Sequence, residues 1–236
     1  MNYSFTPIGI VHSCFPDKFG VPRQPQLVPA ATGRIELLAP YNREEAVREL
    51  DGFSHIWVVF VFHDVKREAW KPTVRPPRLG GNRRVGVFAS RSPERPNPIG
   101  LSLVRLDGVH TGKGGVVLQV SNLDMIDGTP VLDIKPYVPY ADCVADARAG
   151  FAPRTPDSHL PVRLSDTAQQ QLQQFTIQYP GLEALIVQVL QQDPRPAYQD
   201  KAGDSERVFG MRLYDLEIKW QLQNGVMQVL AMERAE

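Results

Sequence analysis

Short apolar runs separated by polar turns fill the first 140 residues of the chain. The runs are rich in Val, Ile, Leu and Phe, and Gly, Pro, Asn and Asp lie between them. One short helix interrupts the pattern; it begins after Asn42 and ends at Asp51-Gly52. The run at 55–63 is apolar on both faces, which predicts a strand in the middle of the core. Many short strands with few helices favour a barrel or a sandwich over a doubly wound parallel sheet. The predicted strands span residues 5–12, 32–39, 55–63, 84–89, 99–107, 116–121 and 130–134.

A different pattern begins after residue 162. Ser165 is a suitable N-cap for a helix that ends near Pro180-Gly181, and a second helix follows it. Apolar and polar residues then alternate strictly from 214 to 222, which predicts a strand, and Asn224-Gly225 turns that strand back into another. The sequence therefore predicts a β-rich domain at 1–140, a linker rich in Ala, Asp, Pro and Ser at 141–162, and a small α+β domain at 163–236.

The amino-acid composition is that of a globular protein. Hydrophobic residues make up 42% of the chain and charged residues 22%, which excludes general disorder. The longest uninterrupted apolar run, Ile56 to Phe62, is far shorter than the ~20 residues that a membrane-spanning helix needs. We therefore expect no membrane span, and the N-terminus does not have the pattern of a signal peptide. Two cysteines, Cys14 and Cys143, form neither a disulfide framework nor a paired metal-ligand spacing, which favours a reducing cytoplasm.

Positive charge is concentrated in one stretch of a chain whose net charge is zero. Residues 66–95 contain nine Lys and Arg and only two Glu, a local charge of +7. Eight of these nine cations lie in two proline-rich connections, 64–83 and 90–98, Arg84 directly follows the first, and proline stiffens a loop. Guanidinium groups bind phosphate and carboxylate bidentately, so the pattern predicts an anion site. A charged, solvated surface is the alternative interpretation.

The segment 123–137 places a carboxylate and an amine on one face of a strand. Asp133 and Lys135 are two residues apart, and such a pair could orient or deprotonate a substrate. A simple cross-strand ion pair explains them equally well. His63 ends the most apolar strand and opens the first basic connection, where a core would adjoin a pocket. We expect Trp70 and Phe53 to be core or rim aromatics rather than stacking platforms.

Familiar catalytic motifs are absent from the chain. It contains no dinucleotide-binding, P-loop, metalloprotease or serine-hydrolase motif, and its histidines show no metal-binding spacing. The residues alone therefore indicate a β-rich protein that binds a small molecule or a nucleic acid at a cationic site.

Five motifs spread over nearly the whole chain resemble those of the TsaA-like family. The string Arg91-Ser-x-x-Arg95-Pro-Asn-Pro-Ile-Gly100 is far more specific than a lone glycine motif. The other motifs are Val21-Pro22-Arg23-Gln24-Pro25, the run from Arg75 to Asn82, the run from Asp127 to Tyr137, and Asp193-Pro-Arg-Pro-Ala-Tyr198.

The resemblance implies both a fold and an activity. Members of the family bind S-adenosyl-L-methionine on a single-sheeted β-barrel, so we expect a mainly β protein with an N-terminal barrel and a small α+β C-terminal domain. The implied activity is methylation of the exocyclic nitrogen of threonylcarbamoyladenosine, beside the anticodon of threonine tRNA. A homodimer with the cofactor near the subunit interface is also implied. The cofactor contacts implied for this sequence are Pro22, Arg23, Gln24, His63, Asp64, Arg91, Leu101, Asp124, Met125, Ile126 and Asp127.

These implications give roles to the candidate catalytic and basic residues. Asp133, or alternatively Asp124, is our hypothesis for the base, and Lys135 would steady developing charge or the threonyl carboxylate. The predicted tRNA-phosphate contacts are Lys71, Arg75, Arg78, Arg83 and Arg84. We expect no metal. The alternative function is a non-catalytic RNA- or nucleotide-binding module, which would bind no cofactor. A hydrolase of a phosphorylated small molecule is disfavoured, because the sequence shows neither a metal site nor an activated nucleophile.

Overall fold

Two compact units make up the protein, as seen in a computed structural model that describes residues 2–65, 70–156, 160–195 and 207–235. The barrel unit contains the chain up to His12 together with Gly33–Ser121 and Gly128–Thr155. The C-terminal unit contains Ser13–Thr32, Asn122–Asp127 and Pro156–Glu236. The domain prediction divides the chain into consecutive segments, whereas each unit draws on segments that lie far apart in the sequence.

The barrel unit is built almost entirely from strands. They are β1 (Gly9–Ser13), β2 (Thr32–Leu37), β3 (His55–Val61), β4 (Thr73–Val74), β5 (Val85–Gly86), β6 (Ile99–Gly112), β7 (Gly115–Ser121) and β8 (Pro130–Pro136), followed by the short helix α1 (Pro139–Asp142). Six strands close into one barrel in the order β1-β2-β7-β6-β3-β8. Apolar side chains such as Ile35, Val58, Val104 and Leu118 are fully buried. The prediction of a mainly β protein with a single-sheeted N-terminal barrel is confirmed.

The most apolar strand, β3, lies between β6 and β8, and its residues alternate between buried and half-buried. Ile56, Val58 and Phe60 are buried, whereas Trp57 and Val59 are half-buried. The expectation that both faces of this strand lie in the core is wrong, because a closed barrel encloses only the inner face of each strand. The outer face therefore leaves apolar surface accessible.

Two other predicted elements differ from those observed. The predicted helix after Asn42 consists of two 3-10 turns, Glu44–Val47 and Leu50–Gly52, and neither has a side-chain cap. Glu49 has a left-handed φ of 66°, which interrupts the helical path between the turns. The predicted strand at 84–89 is reduced to β5, which pairs with β4 in a two-stranded sheet.

The C-terminal unit combines two helices with a four-stranded sheet. Its elements are β9 (Val162–Leu164), α2 (Asp166–Phe175), α3 (Leu182–Gln191), β10 (Phe209–Leu213), β11 (Leu216–Gln223) and β12 (Val226–Arg234), with the sheet order β10-β11-β12-β9. The Ser165 side chain caps α2 by accepting a hydrogen bond from the Ala168 amide over 3.1 Å. Asn224 and Gly225 have positive φ angles of 50° and 71° and form the predicted turn between β11 and β12. The predicted small α+β region is confirmed.

Some predictions fall on residues outside the described part of the chain. These are Lys66, Arg67 and Glu68 of the first basic connection, 157–159 of the linker, and 196–198 of the motif that begins at Asp193. Among the described residues, no helix combines the length and the hydropathy needed to cross a membrane.

Candidate active site

One rim of the barrel gathers the end of β3 and the starts of β6 and β8. Val61, at the end of β3, is in register with Ile99, at the start of β6, and the Phe62 amide donates to the Pro98 carbonyl over 2.8 Å. The strand β8 begins at the same rim, because it is antiparallel to β3. Both basic connections lie between Phe62 and Pro98 in the sequence. They therefore leave the barrel and return to it at this rim.

His63 follows β3 at this rim and lies beside Gly128, two residues before the start of β8. Its Nε2 atom is 4.0 Å from the position that a Cβ would take on Gly128. Gly128 has a φ of 75°, a conformation that glycine adopts without steric strain. Gly128 directly follows the predicted cofactor contacts 124–127 in the sequence. The structure thus places His63 beside the glycine that begins the return of the chain to the barrel unit.

Residues 71–86, which include much of the first basic connection, form a hairpin that presents exposed cations; we call them the basic hairpin. Its strands β4 and β5 are antiparallel, with Thr73 in register with Gly86. The loop between them contains a 3-10 turn at Pro77–Leu79 and two glycines, Gly80 and Gly81, with left-handed φ angles. Arg78 of this loop donates a hydrogen bond to the Arg154 carbonyl, which ties the loop to a residue outside the hairpin. The predicted phosphate contacts Lys71, Arg75, Arg78, Arg83 and Arg84 are all exposed.

The second basic connection, 90–98, is held in shape by one of its own arginines. Arg95 donates from Nη1 to the carbonyls of Ser90 and Ser92 over 3.1 and 3.2 Å. The Ser90 and Ser92 hydroxyls accept hydrogen bonds from the amides of Ser92 and Glu94. Arg95 therefore stabilises the loop, whereas Arg91, the predicted cofactor contact, is exposed.

The candidate catalytic pair lies on the outer face of the barrel. Val59 of β3 is in register with Leu101 on one side and with Asp133 on the other, so these two residues are ~10 Å apart across two strand spacings. Asp133 and Lys135 form an ion pair of 2.7 Å within β8, not across strands. A register shift opposite Val59 and Phe60 places an extra residue in β8. Asp133 is thereby in register with Val59, whose side chain lies on the outer face.

The C-terminal unit holds the segment 122–127 by hydrogen bonds to residues near the start of the chain. The Ser13 amide donates to Asp127 Oδ1 over 2.9 Å, and the Ser13 hydroxyl donates to the Met125 carbonyl over 2.7 Å. The Asp127 amide donates to the Phe15 carbonyl over 2.7 Å. Met125 is buried, whereas Asp124 and Ile126 are half-buried. Asp127 and Met125 thus help to hold the segment in place, and Asp124 and Ile126 keep accessible surface.

The other predicted cofactor segment, Pro22 to Gln24, is held by a turn near the end of the chain. Arg23 donates from Nη2 to the carbonyls of Asp193 and Arg195 over 3.4 and 3.1 Å. Arg195 is only 7% exposed, and its guanidinium binds the Asp193 carboxylate bidentately over 2.8 and 2.7 Å. A buried, bidentate pair of this kind holds its backbone firmly. The turn at 193–195 therefore fixes the orientation of Arg23.

Models of two protein-family domains match almost the entire chain. The tRNA-methyltransferase O N-terminal domain matches residues 10–143, and the TrmO C-terminal domain matches residues 157–235. The chain belongs to the tRNA-methyltransferase O family. The family resemblance predicted from the sequence motifs is confirmed.

Relatives within the tRNA-methyltransferase O family extend over the whole chain. A tRNA (adenine(37)-N6)-methyltransferase of Escherichia coli (strain K12) is 46% identical over 232 residues, which cover 98% of each chain. A putative S-adenosylmethionine-dependent methyltransferase of Pseudomonas aeruginosa is 50% identical over 222 residues, or 93% of each chain. A crystal structure of TrmO from Pseudomonas aeruginosa superposes with a TM-score of 0.82 at 41% identity and covers 99% of both chains.

Two residues that organise the candidate site of this TrmO-family chain were not assigned a role from the sequence. Ser13 holds the segment 122–127, and Arg195 holds Arg23. The motif at Asp193-Pro-Arg contains Arg195, but no local pattern connects it to a residue 172 positions earlier. Within the described ranges, no group of three or more His, Cys, Asp or Glu side chains is arranged to hold a metal ion.

Proposed function

We propose that this chain is an S-adenosyl-L-methionine-dependent tRNA methyltransferase that acts in the cytoplasm. Its substrate is threonylcarbamoyladenosine at position 37 of threonine tRNA, and the methyl group is transferred to the exocyclic N6 nitrogen. The observation that carries this proposal is the similarity over 98% of the chain to a tRNA (adenine(37)-N6)-methyltransferase. The cationic loops at the barrel rim support it, because they suit a polyanionic substrate.

The residues of the candidate site have the chemistry that S-adenosyl-L-methionine requires. Carboxylates at Asp64 and Asp124 suit its ammonium and hydroxyl donors, Arg91 suits its carboxylate, and Leu101 offers an apolar contact. The left-handed glycine at 128 leaves space beside His63 that a side chain would reduce. When bound, the cofactor supplies an electrophilic methyl group on a sulfonium. The predicted contacts Pro22, Arg23, Gln24, His63, Asp64, Arg91, Leu101 and 124–127 are thus proposed to surround it.

The chain's own residues have three tasks in the transfer. The site must hold the acceptor nitrogen in line with the methyl group and exclude water, because an in-line displacement depends on alignment. The acceptor nitrogen belongs to a urea group, whose lone pair is delocalised, so its proton must leave during the reaction. Asp133 accepts that proton, and Lys135, 2.7 Å from it, steadies the negative charge that develops or the threonyl carboxylate.

The basic hairpin binds the phosphates of the tRNA. Its exposed cations neutralise phosphates, and the counterions that are released favour binding. The affinity for tRNA will therefore fall as the salt concentration rises. The prolines in this loop restrict its backbone before binding and so reduce the entropy lost when tRNA binds. The residues assigned to this role are Lys71, Arg75, Arg78, Arg83 and Arg84.

The protein acts as a homodimer through the outer face of β3, β6 and β8. Leu101 is 54% exposed and Ile99 is 38% exposed, and half-buried Val59 lies beside Leu101 on the same face. A second subunit on this face would bury that apolar surface and exclude water from Asp133 and Lys135. The cofactor contact at Leu101 would then lie near the subunit interface.

A methylation assay tests the activity, the cofactor and the substrate together. The purified protein is incubated with donor carrying a labelled methyl group and with threonine tRNA, either with or without the threonylcarbamoyl group. We expect label only in the modified tRNA, at position 37. Label in neither tRNA, together with no cofactor binding by calorimetry, would support the alternative RNA-binding module instead.

A substitution at Asp133 tests the assignment of the base. We expect Asp133→Asn to slow single-turnover methylation by about 100-fold or more while cofactor and tRNA affinities stay unchanged, because general base catalysis typically contributes 10²–10⁴-fold. Asp107→Asn is the matched control, since Asp107 pairs with Arg105 over 3.1 Å on another barrel strand. An undiminished single-turnover rate in Asp133→Asn would remove this residue from the mechanism.

A further inference from the structure

An exposed phenylalanine adjoins the basic hairpin. Phe88 is 75% exposed, whereas the preceding residue, Val87, is 2% exposed. The two residues belong to a 3-10 turn at Val87–Ala89, so the turn buries one apolar side chain and leaves the larger one in solvent. Burial of a phenylalanine side chain away from water is favourable, and most of the Phe88 side chain is in water. Phe88 therefore offers apolar surface that a partner would cover.

The turn that carries Phe88 is fixed by its own hydrogen bonds. The Ser90 amide and hydroxyl both donate to the Val87 carbonyl, over 3.2 and 2.8 Å. Arg95 donates to the Ser90 carbonyl over 3.1 Å and so anchors the residues that follow. Phe88 is therefore presented on a backbone that is ordered before any partner binds. Such preorganisation lowers the entropy lost on binding.

The surroundings of Phe88 favour a nucleic-acid partner. The Val87 amide donates to the Pro72 carbonyl over 3.0 Å. Phe88, which follows the basic hairpin, therefore lies at the same end of it as Trp70 and Lys71. Trp70 is itself 53% exposed. Residues 70–93 contain six Lys or Arg and no Asp or Glu. Cations for the phosphates together with an exposed aromatic face for the bases are the combination with which proteins bind single-stranded nucleic acid.

We propose that Phe88 stacks on an unpaired base of the anticodon loop and so positions the target nucleoside at the barrel rim. This inference rests on the proposed function, since it requires the tRNA loop as the substrate. Phosphate contacts of the basic hairpin fix the backbone of the loop, and Phe88 supplies the contact that distinguishes an unpaired base from a paired one. Phe88 is a positioning residue: it contacts the substrate away from the reacting atoms.

The test compares Phe88→Leu and Phe88→Tyr in the full-length protein with threonylcarbamoylated tRNA. Stacking is worth ~1–3 kcal/mol per base, so we expect Phe88→Leu to weaken tRNA binding about 5- to 150-fold. Phe88→Tyr keeps an aromatic face and should restore binding to within about threefold. Cofactor affinity should be the same in all variants. Tyr140→Ala is the matched control, because Tyr140 is a strongly exposed aromatic outside the basic hairpin.

A fluorescent base reports the stacking directly. With 2-aminopurine in the anticodon loop, the wild-type protein and Phe88→Tyr should quench its fluorescence, and Phe88→Leu should not. Binding of Phe88→Leu within twofold of wild type, or an equal loss with a fully paired RNA duplex, would overturn the inference. Loss of dimerisation in Phe88→Leu would instead identify a subunit contact and would also overturn it. Failure of the wild-type protein to methylate the tRNA would contradict the proposed function rather than the role of Phe88.

Discussion

The packing of Phe60 on Gly100 gives a prediction that can be worked out from the structure. Gly100 ends the motif that begins at Arg91, and it is in register with Phe60, which is buried inside the barrel. A Cβ on Gly100 would lie 2.2 Å from Cζ of the Phe60 ring and 2.5 and 2.6 Å from its two Cε atoms. All three distances are far below a normal contact, so Gly100→Ala must displace the ring.

Gly100→Ala should therefore lower the free energy of unfolding by about 3 kcal/mol, near the upper end of the usual range for overpacking a core. Phe60→Leu removes the three ring atoms that clash, at a loss of about 2 kcal/mol for the buried carbons. The double variant Phe60→Leu with Gly100→Ala should then be about as stable as Phe60→Leu alone, instead of showing the sum of about 5 kcal/mol.

Urea denaturation followed by circular dichroism measures these differences. Gly112→Ala is the matched control, because Gly112 lies on the same strand and a Cβ there would have nothing within 4 Å. It should change stability by less than about 1 kcal/mol. If Gly100→Ala is as stable as wild type, or if the double variant shows additive losses, the Phe60 ring does not need the space above Gly100 and the reasoning is refuted.

Three further predictions concern tRNA binding, assembly and thiol chemistry. In a filter-binding titration, Arg83→Ala should weaken tRNA binding and reduce the slope of its salt dependence by about one counterion, while cofactor affinity is unchanged. Arg212→Ala is the control. Equal losses of tRNA affinity and cofactor affinity would contradict the assignment. Leu101→Asp should convert the proposed dimer to monomer in light scattering and weaken cofactor binding; an unchanged dimer would exclude this face. Burial raises the pKa of Cys14 to about 12, so at pH 8 a disulfide reagent should modify only exposed Cys143 in the folded protein, and both cysteines after denaturation. Since the thiol of Cys14 ionises more readily when unfolded, the same shift predicts stability that is complete below about pH 9 and declines as the pH rises towards 12.

Local sequence patterns predict which strands form better than they predict how those strands pack. The alternation of apolar and polar residues gives β11 directly, because a strand with one face on a core needs an apolar residue at every second position, and the continuous apolar run gives β3. The predicted helix after Asn42 does not form, because Glu49 adopts a left-handed conformation that interrupts it. Val47 is the only buried residue of its two turns, so tertiary packing stabilises a helix there very little. The outer face of β3 is left partly exposed because six strands close into a barrel, and the sequence of one strand does not predict that closure.

The candidate site depends on contacts that join distant parts of the chain. Ser13 and Asp127 are 114 positions apart, and Arg23 and Arg195 are 172 positions apart. Family resemblance singles out Asp127 and Arg23 in the sequence, but the backbone groups that bind them, the Ser13 amide and the carbonyls of Asp193 and Arg195, are seen only in the structure. The outward orientation of Asp133 similarly depends on one extra residue in β8, which a strictly alternating pattern does not predict.

The grouping of Ser13–Thr32 with the C-terminal chain has a consequence for biosynthesis. The ribosome releases this early segment long before it has made the residues after 156 that complete its hydrophobic surroundings. At ~5–20 residues per second, the delay is on the order of ten seconds. A nascent chain can close most of the barrel sheet in that time, yet the loop bearing Arg23 becomes ordered only when the last strands emerge. With Arg23 in its proposed role, binding of the methyl donor should therefore begin only when the C-terminal sheet has folded.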